Sequence, residues 1–147
     1  MPTLVAPRPL VFALLAVAAV SLTGCAPLVE QLRNESGKTF ASVEDLNGNW
    51  GKEAPWLPAD ASEILTHEST VSDTAIIGVT SKEPLDDGDC VETPRESGPA
   101  FASDWSPESI TAERVFVCGN WAVVPTNSGY FAWTPIDPDE VAAANGK

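Results

Sequence analysis

Apolar and polar positions follow different rules in different parts of this chain. From Leu10 to Val20 every residue is apolar (Leu-Val-Phe-Ala-Leu-Leu-Ala-Val-Ala-Ala-Val), a run shorter than the about 20 residues that a bilayer-spanning helix needs. Residues 26–53 then carry Asn34, Glu35, Ser36, Gly37, Asn47, Gly48, Asn49 and Gly51 among few apolar groups. Only Phe40, Val43 and Leu46 recur at helical spacing, which predicts a polar spacer interrupted by a short amphipathic turn. Farther on, the stretch from about Leu65 to Ser81, with Ala75-Ile-Ile-Gly-Val79 inside it, predicts a β-hairpin.

The strongest strand pattern lies between Arg114 and Trp133. Arg114-Val-Phe-Val-Cys118 and Trp121-Ala-Val-Val-Pro125 flank Gly119-Asn120, a two-residue loop suited to a type II′ turn, which pairs Cys118 with Trp121 and Phe116 with Val123. Asn127-Ser128-Gly129 reads as a three-residue loop with a left-handed Gly129, pairing Pro125 with Phe131 and Val123 with Trp133. On that register Phe116, Cys118, Trp121, Val123, Phe131 and Trp133 share one face. Val115, Val117, Ala122, Val124 and Ala132 share the other, so both faces need covering. Short helices and the acidic Glu83–Phe101 loop are the expected covers.

Three W-x-P motifs punctuate the same region: Trp56-Leu57-Pro58, Trp105-Ser106-Pro107 and Trp133-Thr134-Pro135. Proline drives the preceding residue into extended geometry, so each motif predicts a corner with a large ring projecting from it. Asp60 with Glu63, and Ser106 with Pro107 and Glu108, have the form of helix starts. One reading makes the tryptophans core pins. The other makes Trp56, Trp105 and Trp133 candidate stacking platforms for a sugar, a peptide or a wall polymer. Pro138–Gly146 reads as a capped short helix or a fraying tail.

Charge narrows the partners. Eight Lys plus Arg face 21 Asp plus Glu, a formal net charge of −13, and all the acids lie beyond Cys25. That excess opposes binding to nucleic acid, which needs clustered positive charge, and opposes attraction to an anionic lipid surface.

The apolar run is preceded by Arg8 and followed by Leu22-Thr23-Gly24-Cys25. This order resembles the lipobox of bacterial lipoproteins, the Leu-small-small-Cys pattern read by the prolipoprotein acyltransferase and signal peptidase II. The resemblance implies that residues 1–24 are a signal peptide removed before Cys25. It also implies that the Cys25 sulfur carries diacylglycerol through a thioether, with acyl chains of the palmitate class. Each buried methylene contributes about 0.8 kcal/mol and one chain binds only marginally, so two or more chains are needed for a stable anchor. Residues 56–133, with W-x-P corners, two cysteines and the closing Tyr130-Phe-Ala-Trp-Thr-Pro135 segment, are similar to domains of small lipoproteins of high-GC Gram-positive bacteria. That resemblance implies location and leaves activity open.

With Cys25 taken by lipid, Cys90 and Cys118 remain as an even pair in an exported chain, which predicts one disulfide. For catalysis the candidate group is His67-Glu68-Ser69, yet neighbours along a strand point to opposite faces, and the chain has one histidine. No G-x-S-x-G elbow, Walker loop, H-E-x-x-H or Cys-His zinc spacing is present. Asp86-Asp87-Gly88-Asp89 departs from the EF-hand spacing and reads as a solvated acidic turn.

The expected protein is therefore α+β. A lipidated polar tether (25–53) carries one compact domain (54–147) with an antiparallel sheet, a C-terminal three-stranded meander, short covering helices and one disulfide. Its expected place is the extracytoplasmic face of the cell membrane. Its expected role is a non-catalytic binding or interaction module, without cofactor or metal, for an envelope protein or an extracellular ligand. The alternative is a small hydrolase centred on His67.

Overall fold

The two regions of strongest β pattern meet in one sheet. The structure, a computed structural model, describes residues 32–146; the apolar run, the Leu22–Cys25 motif and the signal-peptide boundary lie outside the described residues. Among those described, seven strands pair antiparallel: β1 (Glu35–Ser42), β2 (Ser62–Ser69), β3 (Ala75–Thr80), β4 (Val91–Pro94), β5 (Arg114–Cys118), β6 (Trp121–Pro125) and β7 (Gly129–Thr134). Their order is β1-β2-β3-β7-β6-β5-β4. Two consecutive meanders, β1–β3 and β4–β7, thus join through the β3–β7 pair, and the sheet is larger than the three-stranded meander expected. The helices α1 (Val43–Asn49) and α2 (Pro138–Asn145) complete the α+β architecture.

The β5–β6 hairpin has the register that its turn dictates. Gly119 takes φ +64° at the first turn position, which a type II′ turn requires, and Cys118 faces Trp121 while Phe116 faces Val123. The next connection differs from expectation. Pro125 pairs with Tyr130 and Val123 with Ala132, so the loop holds four residues, Thr126–Gly129. Thr126 N–H donates to the Gly129 carbonyl at 2.8 Å, and Gly129 N–H donates to the Thr126 hydroxyl at 3.1 Å. Gly129 is needed for a close approach instead of a left-handed φ: a Cβ there would lie 2.1 Å from the Val79 carbonyl oxygen. One extra loop residue inverts every side chain beyond it. Phe131 and Trp133 therefore leave the face of Trp121 and join Val115, Val117, Ala122 and Val124 on the other.

Each face has its own core. On the first, Leu46, Trp50, Trp56, Ile64, Ile77, Trp121 and Val123 pack together under α1 and the segment that follows it. On the second, Ile76, Val115, Val117, Phe131 and Trp133 pack against Phe101, Trp105, Ile110, Ile136 and Ala144.

Part of the expected tether belongs to this fold. Residues 35–49 supply an edge strand and a helix, and Phe40, Leu46 and Trp50 are buried. Phe40 and Leu46 do recur at helical spacing, yet Phe40 anchors β1 opposite Ile64 while Leu46 belongs to α1. The polar residues around Phe40 suit an edge strand with one apolar anchor. The helix starts expected at Asp60 and Ser106 are also corrected. Glu63 sits at φ 47° in a bulge at the start of β2. Asp60 instead accepts from the Ser81 hydroxyl and, at 2.8 Å, from Lys82 N–H, bonds that hold its carboxyl below the ordinary range. The Ser106 hydroxyl accepts from Ser103 N–H at 3.0 Å in a turn that no helix follows. At the other end, Asp137 and Glu140 form a capping box with Pro138 behind the cap, as the Pro138–Gly146 pattern allows.

Candidate functional site

Between Pro94 and Arg114 the chain forms neither helix nor strand, and structureless connections of that length are uncommon outside functional loops. The segment is a strap laid across the second face of the sheet. Arg95 closes its neck: the backbone N–H donates to the Glu113 carbonyl at 2.9 Å. The guanidinium donates to the carbonyls of Ala112 at 2.7 Å and Ser97 at 2.9 Å. Outside that neck lies the Cys90–Cys118 disulfide, S–S 2.10 Å, which joins the residue before β4 to the end of β5.

Along the strap, three contacts fix its course. Ser97 accepts from Trp133 Nε1–H at 2.9 Å and donates to Glu140 Oε2 at 2.6 Å. Phe101 sets its ring edge-on to His67, centroids 5.1 Å apart. Trp105 stands T-shaped to Phe131 at 6.2 Å and presses on Gly78, where a Cβ would meet the indole at 3.0 Å. Glu140 is fully buried and also accepts from the backbone N–H groups of Glu96 at 2.7 Å, Ser97 at 3.0 Å and Asp137 at 3.2 Å. One carboxylate thus ties α2 to the start of the strap.

The three W-x-P tryptophans separate. Trp133 is 0 % exposed and Trp56 is 5 % exposed, so both are core rings and the stacking role expected for them is withdrawn. Their burial follows from position: Trp133 lies in the central strand β7, and Trp56 packs edge-on to Tyr130 and beside Trp121. Trp105 alone of the three keeps part of its ring at the surface. It borders a groove of about 290 Å³ floored by Gly78 and Phe131 and walled by the β6–β7 loop.

His67 lies in β2, half-buried, with Nε2 3.0 Å from Glu35 Oε2 of β1. Ser69 does not serve it; that hydroxyl accepts from Val71 N–H at 3.2 Å. Glu68 lies 3.9 Å from Lys52 Nζ, on the face that strand alternation sets opposite His67. A carboxylate beside an imidazole, with an aromatic ring closing over it, clamps the edge strand β1 and the strap together. Among the described residues no hydroxyl forms with His67 the hydrogen bond to a base that nucleophilic catalysis uses. Among the described residues no group of three or more His, Cys, Asp or Glu is arranged to hold a metal ion.

Sequence reasoning overlooks Ser97, Phe101, Asn127 and Glu140. Only Glu140 carries a local signal, the Asp137-x-x-Glu140 capping pattern, and that signal describes an exposed first-turn acid. Comparison of the chain with family models, with curated proteins and with solved structures gives no match.

Proposed function

We propose that this chain is a lipid-anchored extracytoplasmic lipoprotein whose domain is a non-catalytic binding module, presenting the strapped face of its sheet to a ligand or envelope partner. The observation that carries the reading is the Cys90–Cys118 bridge. A structural disulfide suits an oxidising compartment, and it accounts for every cysteine of the chain except the one in Leu22-Thr23-Gly24-Cys25. A cysteine after a short apolar run, with no disulfide partner left for it, is what lipid attachment requires. The acidic surface favours the same arrangement, because acyl chains and not charge must then hold the domain at the membrane. The binding role is supported by the strap: a long irregular segment, fastened at its neck by Arg95, at its start by Ser97 and farther along by Phe101, leaves the Trp105 ring at a groove. Loops held by a rigid scaffold are where recognition concentrates.

Detergent phase separation tests the anchor. Exported wild type is expected in the detergent phase and the Cys25→Ser variant in the aqueous phase, with intact mass showing diacylglycerol on Cys25 of the wild type alone. Equal partitioning of the two proteins, or an unmodified Cys25, would remove the lipoprotein reading.

A further inference from the structure

We propose that the Trp105 groove binds a neutral saccharide chain, one sugar ring stacking on the Trp105 indole while its hydroxyls exchange hydrogen bonds with the β6–β7 loop. This rests on the reading of the domain as a binding module and names the ligand class of that module.

Four observations converge on a neutral, hydroxyl-rich ligand. Trp105 is held in place before any ligand arrives: the Ser103–Ser106 turn carries it, Gly78 lets it approach the sheet and Phe131 meets it edge-on. A ring fixed in advance loses little freedom on binding. Its indole N–H also has no hydrogen-bond partner among the described residues. Trp121 and Trp133 spend theirs on the Glu53 carbonyl and the Ser97 hydroxyl, and the buried unpaired indole nitrogens are those of Trp50 and Trp56. Trp105 Nε1, on a part-exposed residue, is thus neither paired nor among the buried unpaired atoms of the described residues.

The facing wall is polar and rigid. The backbone of the β6–β7 loop is fastened by Thr126 to Gly129 at 2.8 Å and by Ser81 N–H to the Ser128 carbonyl at 3.0 Å. The Asn127 amide and the Ser128 hydroxyl make no side-chain hydrogen bond among the described residues. Asn offers both donors and an acceptor, and Ser does the same on a smaller scale, which matches the dual character of a sugar hydroxyl.

Charge argues against ionic ligands. No residue lining the groove is ionisable as an acid or a base at neutral pH, although 20 % of the chain is Asp, Glu, Lys or Arg and the net charge is −13. A cation finds no carboxylate there to pair with, and the field of the whole domain repels an anionic polymer. A second depression of about 400 Å³ shares Thr80, Thr126, Asn127, Ser128 and Tyr130 with the first and adds Lys82 and Glu83, one charge of each sign, so the extended site still carries no net charge. The site is thus longer than one ring, which favours a chain over a single sugar.

The test uses the exported full-length protein in a detergent without a sugar headgroup, titrated calorimetrically with cellotriose, maltotriose and chitotriose, and with trigalacturonate as the anionic control. At least one neutral trisaccharide is expected to bind saturably at millimolar concentration or below, and trigalacturonate is not. Trp105→Ala is expected to weaken that binding at least tenfold and Asn127→Ala several-fold. Trp105→Phe, which keeps an aromatic ring but loses the N–H, is expected to retain part of it, so a packing defect in the alanine variant does not decide the matter. Asp86→Asn, outside the groove, should leave binding unchanged. Absence of binding by all three neutral sugars, equal binding of trigalacturonate, or full affinity in Trp105→Phe and Trp105→Ala alike would overturn the proposal. Detergent partitioning of the same preparation keeps the two readings apart: a protein that partitions as a lipoprotein yet ignores these sugars loses only its ligand class.

Discussion

A carboxylate without solvent contact persists only when its lone pairs are filled, and Glu140 fills them with three backbone N–H groups and the Ser97 hydroxyl. That hydroxyl in turn accepts from the indole of Trp133, so one side chain links helix, strap and central strand. Glu140→Ala should leave those donors short of partners and cost roughly 2–4 kcal/mol, read as a lowered urea midpoint at unchanged m. Glu140→Gln should cost less but more than about 1 kcal/mol, since its amide NH₂ must face a donor at one of the two oxygen positions. A midpoint unchanged in both variants would show that water replaces the carboxylate freely. The capping pattern around Asp137 is legible in the chain, but the burial of Glu140 is not. Apart from Asp137, its partners Glu96 and Ser97 stand 44 and 43 residues earlier, in a segment with no periodicity to announce where it lies. Cys90 and Cys118 are legible for the opposite reason: pairing there follows from counting, once the compartment is granted.

Among the elements, β5 and β6 are readable because their turn is short, and a two-residue loop leaves one register. The β6–β7 connection shows how sharply that certainty falls with one added residue. Gly129 has the local setting of a turn glycine, yet its role is set by strand β3, whose Val79 carbonyl passes where a side chain would stand, a fact no local pattern contains. Gly129→Ala should therefore force β7 away from β3 and cost about 2 kcal/mol or more. Gly48 is the internal control. It lies in α1 without a positive φ, and a Cβ at that position would meet nothing within 4 Å, so Gly48→Ala should stabilise by roughly 0.5–1 kcal/mol through helix propensity. Opposite signs for one chemical change, measured as thermal midpoints, are the expected result; equal effects would place Gly129 in open space. The strap escapes sequence reading for a related reason, since its three anchors, Ser97, Phe101 and Trp105, bind residues from β7, α2, β2 and β3, not each other.

For the molecule as a whole, the disulfide matters through what it encloses. The 28-residue separation between Cys90 and Cys118 contains the entire strap together with β4, and Arg95 repeats the closure one layer inside. In the chain-entropy picture a loop of that length contributes roughly 3.6 kcal/mol, an upper figure, against a total of about 5–15 kcal/mol for a typical domain. The loss on reduction should fall unevenly. β1, β2 and β3 form their own meander and keep their core of Ile64, Ile77 and Trp56, whereas β4 is an edge strand held by β5 and placed next to Cys90. Cys90→Ala/Cys118→Ala, or the wild type reduced under native conditions, is therefore expected to stay folded with a lowered midpoint. Amide exchange should rise first in β4 and residues 95–113, and later in β2 and β3. Uniform exchange across the sheet would mean that the two meanders open as one unit. Exchange confined to the strap, with β4 still protected, would mean that Arg95 alone sustains the neck. Because the Trp105 groove is built from the strap on one side and the β3–β7 pair on the other, reduction should also weaken whatever binds there while leaving the sheet in place, so that the intact bridge matters more to the site than to the sheet.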